Sequence, residues 1–172
     1  MATIRPSAAL LISLLVLASA CAGGSSSSSD PARGVRLTAS GGCGDAFIWA
    51  TTAEGDLAVT VSTEARDRSA AGPTTIDLDL PDPAVTVEVL RGEDLARNFC
   101  NDVILPSSRP ADTQSVTAGT GEMVLDPPKD AGSYANCGTT SGRLRLRGLV
   151  AEDGTTFAPI DARTDQIGCY AG

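Results

Sequence analysis

The chain has 172 residues, with 13 basic against 21 acidic side chains, a formal charge of −8 at neutral pH and no histidine. Such an acidic balance repels nucleic acid and anionic lipid headgroups. The missing histidine removes the usual general base and the commonest transition-metal ligand, which excludes serine triads, histidine-dependent zinc hydrolases and cysteine–histidine nucleophiles.

Arg5 is the only charge ahead of an apolar run from Ala8 to Ala20, and Gly23-Gly24 and five serines follow soon after it. That is the layout of a secretory signal. The run is too short to be a transmembrane helix, which needs about 20 residues. The stretch Leu17-Ala18-Ser19-Ala20-Cys21 resembles the lipobox of bacterial lipoprotein precursors, with Ala18 standing where leucine is usual. The resemblance implies that residues 1–20 are a lipoprotein signal peptide and that Cys21 is lipidated and becomes the first mature residue. The protein would then be exported and lipid-anchored on the outer side of the cytoplasmic membrane. A plain cleaved signal with a free Cys21 is the rival reading. Two or more acyl chains would hold the protein firmly where one would not. Without Arg5 the mature chain carries 12 basic and 21 acidic residues, a formal charge of −9. Residues 21–33 read as the anchor and a Gly/Ser-rich tether with a reach of roughly 20 Å. Residues 34–172 read as a single domain large enough for a real core.

From Gly34 onward, short β-branched runs alternate with turn residues. Val35 to Ala39 predicts a first strand. Asp45 to Thr52 and Asp56 to Thr63 predict a hairpin across Ala53-Glu54-Gly55. The first of these strands is apolar on both sides, with Phe47 and Trp49 opposite Ala46, Ile48 and Ala50, and so is covered on both faces. The second alternates as a half-buried strand, with Leu57, Val59 and Val61 inward. Thr75 to Leu80 places Ile76, Leu78 and Leu80 inward, and Pro81-Asp82-Pro83 ends it. Ala84 to Arg91 buries Val85, Val87 and Val89. Gly92 to Arg97 makes a single helical turn, pinned by Leu95 and Phe99 beside Cys100. Ser115 to Ala118 and Glu122 to Leu125 read as two strands joined by Gly-Thr-Gly, and Asp126 to Gly138 as the longest loop. Arg143 to Ala151 and Thr155 to Ala162 form a hairpin across Glu152-Asp153-Gly154, and a terminal strand around Ile167 to Tyr170 brings in Cys169. The predicted fold is all-β, a mainly antiparallel sandwich of about eight strands. Its architecture is immunoglobulin-like but its pattern is not, because Trp49 follows Cys43 too closely.

With Cys21 at the cleavage point, Cys43, Cys100, Cys137 and Cys169 are an even set in an oxidising compartment, so two disulfides are expected. Spacing permits three connectivities. Cys43 with Cys100 and Cys137 with Cys169 is favoured, since each pair staples one half of the domain. A structural zinc site is the weaker reading, for no C-x-x-C spacing is present. At GGCGDAFIWATTAEGDLAVTV and again at FCNDV the chain resembles uncharacterised actinobacterial envelope proteins. That resemblance implies no activity, and it adds support for Cys43 pairing with Cys100.

Three constellations carry candidate chemistry. Arg143, Arg145 and Arg147 alternate with Leu144 and Leu146, so three guanidinium groups share one outward face and form a possible anionic-ligand site for an envelope polymer or partner. The plainer reading is a cross-strand charge ladder, against Asp77 and Asp79 for example. Asp77 and Asp79 with Asp82 are the calcium candidates, although no EF-hand spacing is present and a wet strand face with a turn former explains them as well. Glu152 and Asp153 are adjacent carboxylates at a hairpin tip, which suits a turn better than a glycosidase cleft. Trp49 and Tyr134 are aromatics of the kind that stack on sugars, but Trp49 reads as core. No catalytic motif or cofactor site is recognisable. The sequence therefore predicts a non-catalytic binding or accessory domain, with the membrane, through Cys21, and an envelope protein or wall polymer as partners. The alternatives are a carboxylate-based hydrolase of cell-wall glycan and a ligand-carrying sensor lipoprotein.

Overall fold

Alternation and turn chemistry produce eight strands in the computed structural model, which describes residues 34–64, 72–101, 105–127 and 140–168. The signal, Cys21, the tether, Tyr134, Cys137, Cys169 and most of the loop from Asp126 to Gly138 lie outside the described residues. The strands are β1 (Ala39–Cys43), β2 (Phe47–Thr51), β3 (Leu57–Thr63), β4 (Thr74–Leu80), β5 (Val85–Arg91), β6 (Asp112–Leu125), β7 (Thr140–Ala151) and β8 (Ile160–Ile167).

The chain is all-β and mainly antiparallel, as expected, and its strands link into one continuous sheet. Its strands run in the order β1-β2-β3-β5-β6-β7-β8, and β4 branches off to pair with β6. The branch arises because β6 is long enough to serve two partners on one edge. Its first residues pair with β5, Glu88 opposite Ser115, and its last seven with β4, Leu80 opposite Gly119. The sequence suggests two strands here because Gly119-Thr120-Gly121 reads as a turn. Instead the glycines admit close neighbours: a Cβ on Gly121 would stand 1.9 Å from the Arg145 carbonyl oxygen.

The six successive pairings along this path are all antiparallel. Six reversals return the chain to its starting direction, so when the sheet curls round, β8 must lie parallel to β1. Just ahead of the two strands a single parallel bridge joins Val35 to Phe157: Val35 N–H donates to Thr156 O at 2.9 Å and Ala158 N–H to Val35 O at 3.0 Å. At the far end of the seam Gly168 N–H donates to Gly44 O. Between these points hydroxyls replace the backbone ladder. Ser40 Oγ donates to Arg163 O at 3.1 Å and accepts from Arg163 N–H at 3.2 Å, while Thr164 Oγ1 donates to Gly42 O at 3.3 Å. The sheet is thus nearly closed.

One core fills the interior. Ile48, Val59, Val61, Val89, Met123, Leu125, Leu144 and Ile167 are fully buried in it. The inward sets predicted for β3, β4 and β5 point into it, with Ile76 only partly buried. β3 is not half-buried, however, because Ala58 and Thr60 on its outer face are covered too. A 3-10 turn, Leu95–Asn98, folds over that face, and Leu95 packs with Ala58, Leu90 and Phe99 in a second cluster. Cys100, directly after it, is disulfide-bonded to Cys43 at the end of β1, with a Cα–Cα distance of 5.7 Å. The 57-residue separation closed by this bond corresponds to about 4 kcal/mol of unfolded-state entropy.

Two expectations shift. The first strand begins at Ala39, four residues late, and runs through Gly41 and Gly42. Propensity argues against glycine in a strand, but here glycine lets another group approach: a Cβ on Gly41 would stand 2.5 Å from Cζ2 of Trp49. Trp49, read as core, lies instead on the outer face, since alternation along β2 gives Ile48 and Ala50 to the interior. The last hairpin forms across 152–154 as predicted, although its return strand is regular only from Ile160.

Candidate ligand-binding face

The outer surface of β4, β6, β7 and β8 gathers most of the charged candidates, because alternation that buries Leu78, Met123, Leu144, Leu146 and Ala162 turns their neighbours outward. Register then sets the rows. Asp77 lies opposite Glu122, Glu122 opposite Arg145, and Arg145 opposite Asp161; the next row holds Asp79, Thr120 and Arg147.

Arg143, Arg145 and Arg147 do share this face, and two of them are engaged. Arg145 Nη1 donates to Glu122 Oε1 at 2.5 Å. Arg143 grips Asp161 with two nitrogens, Nε donating to Oδ1 at 2.8 Å and Nη2 to Oδ2. That hydrogen-bonded pair raises the Arg143 pKa above its ordinary value and lowers that of Asp161. Arg163 Nε stands 3.7 Å from Asp161 as a looser third member. The ladder therefore exists, but its acidic partners are Glu122 and Asp161 in place of Asp77 and Asp79. The reason is adjacency: β4 lies beyond β6, two strands from the arginines of β7. Such half-exposed pairs stabilise by only tenths of a kcal/mol each, yet they fix side-chain positions. Arg147 is exposed and makes no ion pair among the described residues.

The calcium candidates are not brought together. Asp77 and Asp79 are exposed on β4, whereas Asp82 Oδ1 accepts the Ala84 N–H at 2.8 Å and so closes its turn. Among the described residues no three Asp, Glu, Cys or His side chains are grouped to hold a metal ion. Of the hairpin-tip pair, Asp153 is tied into the fold. Its carboxylate accepts from Thr155 N–H at 2.8 Å and from Arg91 Nη2 at 2.8 Å, and Arg91 Nη2 also reaches Thr155 Oγ1. The hydrogen bonds from Thr155, then Arg91, lower its pKa to about 2. Glu152 is exposed beside it.

A second, smaller feature lies where the parallel seam opens. Trp49, opposite Gly41, lays its indole across that glycine, and Phe99 packs on it with ring centroids 5.4 Å apart. Phe99 also meets Phe47 edge-on at 5.9 Å. The indole edges a recess of about 380 Å³ whose opposite wall is β8, with Arg163, Asp165 and Gln166. The indole Nε1 is buried and has no hydrogen-bond partner among the described residues. Sequence reasoning missed this recess because it depends on strand closure, which no local pattern reports. The glycine pair ahead of an apolar strand was its only signal. Compared with known proteins, the chain matches no family, no curated protein and no solved structure.

Proposed function

We propose that the protein is a non-catalytic binding domain of the cell envelope, lipid-anchored through Cys21 on the outer side of the cytoplasmic membrane, and that its β4-β6-β7-β8 face docks an envelope protein or wall polymer. The observation that carries the reading is the fixed charge pattern of that face. Arg143 and Arg145 are braced by Asp161 and Glu122, and Arg147 stands beside them uncommitted. Braced charges lose little side-chain entropy on docking, and an unpaired guanidinium offers a planar fork of donors to a carboxylate or phosphate. The same bracing speaks against the hydrolase. Glu122 and Asp161 are the carboxylates that flank Arg145, and the hydrogen bonds from Arg143 favour the ionised form of Asp161, whereas a general acid must keep its proton near neutral pH.

The test is mild cross-linking of the lipidated protein in its own envelope, followed by identification of what is attached. Wild type is expected to capture a reproducible partner and Arg147→Glu to lose it. Capture unaffected by Arg147→Glu refutes the assignment to this face. Turnover of a wall glycan by the purified protein, abolished by Glu122→Gln or Asp161→Asn, refutes the non-catalytic reading altogether.

A further inference from the structure

We infer that the groove beside the arginines of β7 and β8 binds a short peptide by its two charged ends, the carboxylate on Arg143 and Arg163 and the ammonium on Asp165. The inference rests on reading the β4-β6-β7-β8 face as a binding surface. It deepens that reading by naming a ligand class for the end of the face away from Arg147.

Register creates the positive wall. Arg143 and Arg163 stand directly opposite each other on neighbouring strands, where like charges repel. A single carboxylate serves them both: Asp161 accepts from Arg143 Nε and Nη2 and lies 3.7 Å from Arg163 Nε. Arg145, also within reach of the Asp161 charge, takes Glu122 as its partner. Three guanidinium groups are thus set against two carboxylates, an excess of one positive charge. Asp161 takes Nε and Nη2 of Arg143, which leaves the donors of Nη1, and the Arg163 side chain is 68% exposed. A ligand carboxylate that accepts from both arginines would balance the excess and offset their repulsion.

The same ion pairs open the groove. Asp161 lies in the row of Arg145, one row along the strands from Arg143 and Arg163. Both side chains lean toward it. They leave uncovered a floor of short side chains, Val124, Ser141 and Thr164, in a groove of about 690 Å³ that Asp161 does not line. The opposite wall is acidic. Leu125 and Thr164 both pair with Gly142, so Asp126 and Asp165, each one residue further on, fall on either side of Ser141. The groove therefore runs from a positive wall to a negative one, and a ligand carrying both charges matches it along its length. An anionic polymer has no group to offer Asp165.

Spacing chooses among such ligands. Neighbouring rows lie two residues apart, roughly 7 Å along a strand, and the lean of the arginines adds to that. The ammonium and carboxylate of a free amino acid share one carbon and fall short of the two walls. An ethanolamine phosphate headgroup, with two carbons between its charges, is short as well. A quaternary ammonium headgroup calls for aromatic rings, and no described residue lining the groove is aromatic. Two or three extended residues span roughly 7–11 Å, which fits.

The experiment is calorimetric titration of the purified full-length chain with trialanine, with its N-acetylated and C-amidated forms, and with glycerophosphoethanolamine. Trialanine is expected to bind saturably, and each blocked form about fivefold more weakly, the effect of losing one exposed ion pair. Arg163→Gln and Asp165→Asn, both at exposed positions, locate the two ends. Arg163→Gln is expected to weaken trialanine and the acetylated peptide but not the amide. Asp165→Asn is expected to weaken trialanine and the amide but not the acetylated peptide. Equal affinity for acetylated and free trialanine overturns the inference by showing a plain anion site, and equal affinity for glycerophosphoethanolamine overturns the peptide. No saturable binding of trialanine, or binding unchanged in both variants, overturns it outright. Envelope cross-linking with Arg147→Glu reads the other end of the face, since Arg147 does not line the groove. A partner captured through Arg147 with no peptide binding sinks the groove alone, and peptide binding without a captured partner sinks the docking reading alone.

Discussion

Replacing both cysteines of the Cys43–Cys100 bond by serine tests what that cross-link does for the domain and for the aromatic recess beside it. The bond closes a separation of 57 residues. Chain-entropy arithmetic gives such a loop about 4 kcal/mol, all of it acting on the unfolded state. A refund is expected in the folded state. Cys100 sits at φ 58°, a left-handed conformation that costs a non-glycine residue on the order of 1 kcal/mol or more and that can relax once the tether is cut. The net loss is therefore about 2–4 kcal/mol. The assay is urea unfolding followed by Trp49 emission, under oxidising and reducing conditions for wild type. Oxidised wild type is expected to exceed the oxidised double variant by that amount, and the two are expected to be close when both are reduced. Leu95, fully buried against Ala58 and Leu90, should keep the 3-10 turn seated without the bond, so the emission of the folded state should change little. A loss below about 1 kcal/mol refutes the loop-entropy account. A large change in folded-state emission refutes it differently, by showing that the bond holds Phe99 against Trp49 directly.

Two further predictions address the charged groups. Asp153 has its pKa lowered from an ordinary 3.8 to about 2; a depressed carboxylate contributes stability that is present above the unfolded value and is lost as the pH falls through the folded one. Wild type should therefore lose more thermal stability between pH 4 and pH 2 than Asp153→Asn does, and parallel melting curves across that window would show that the hairpin-tip network is idle. Gly121→Ala would place a Cβ 1.9 Å from the Arg145 carbonyl, on backbone that cannot yield without parting β6 from β7. It is expected to cost several kcal/mol, or to prevent folding, as judged by circular dichroism and thermal melting; a variant within 1 kcal/mol of wild type refutes the close approach of those strands.

Most strands were legible because the signal for them is local. Val85, Val87 and Val89 alternate with polar residues and fill the core, and the Ala53-Glu54-Gly55 turn lies where its composition requires. Glycine caused the misreadings. Gly41 and Gly42 hid β1, and Gly119 and Gly121 made β6 look like two strands, because a sequence shows the missing side chain but not the group that takes its place. Arg143, Arg145 and Arg147 were correctly assigned to one outward face, since that follows from period two alone. Their partners were not, because Glu122 and Asp161 become neighbours only through register between strands distant in sequence.

The seam shows why the most distinctive feature of this surface could not be read locally at all. A ring of alternating strands closes without a parallel pair only when their number is even, and here β4 branches off β6, leaving seven in the path. One closing pair must then be parallel, and parallel pairing is the slightly weaker kind. Its position between β1 and β8 follows from chain order, and in its middle the Ser40 and Thr164 hydroxyls bridge the two strands in place of a backbone ladder. The recess lies over this gap, with Trp49 seated on Gly41 at its edge. If Gly41→Ala displaced the indole while the sheet stayed intact, the recess would be lost without any change to Arg143, Arg145 or Arg147, which is the sense in which the seam and the charged face of this domain are separable.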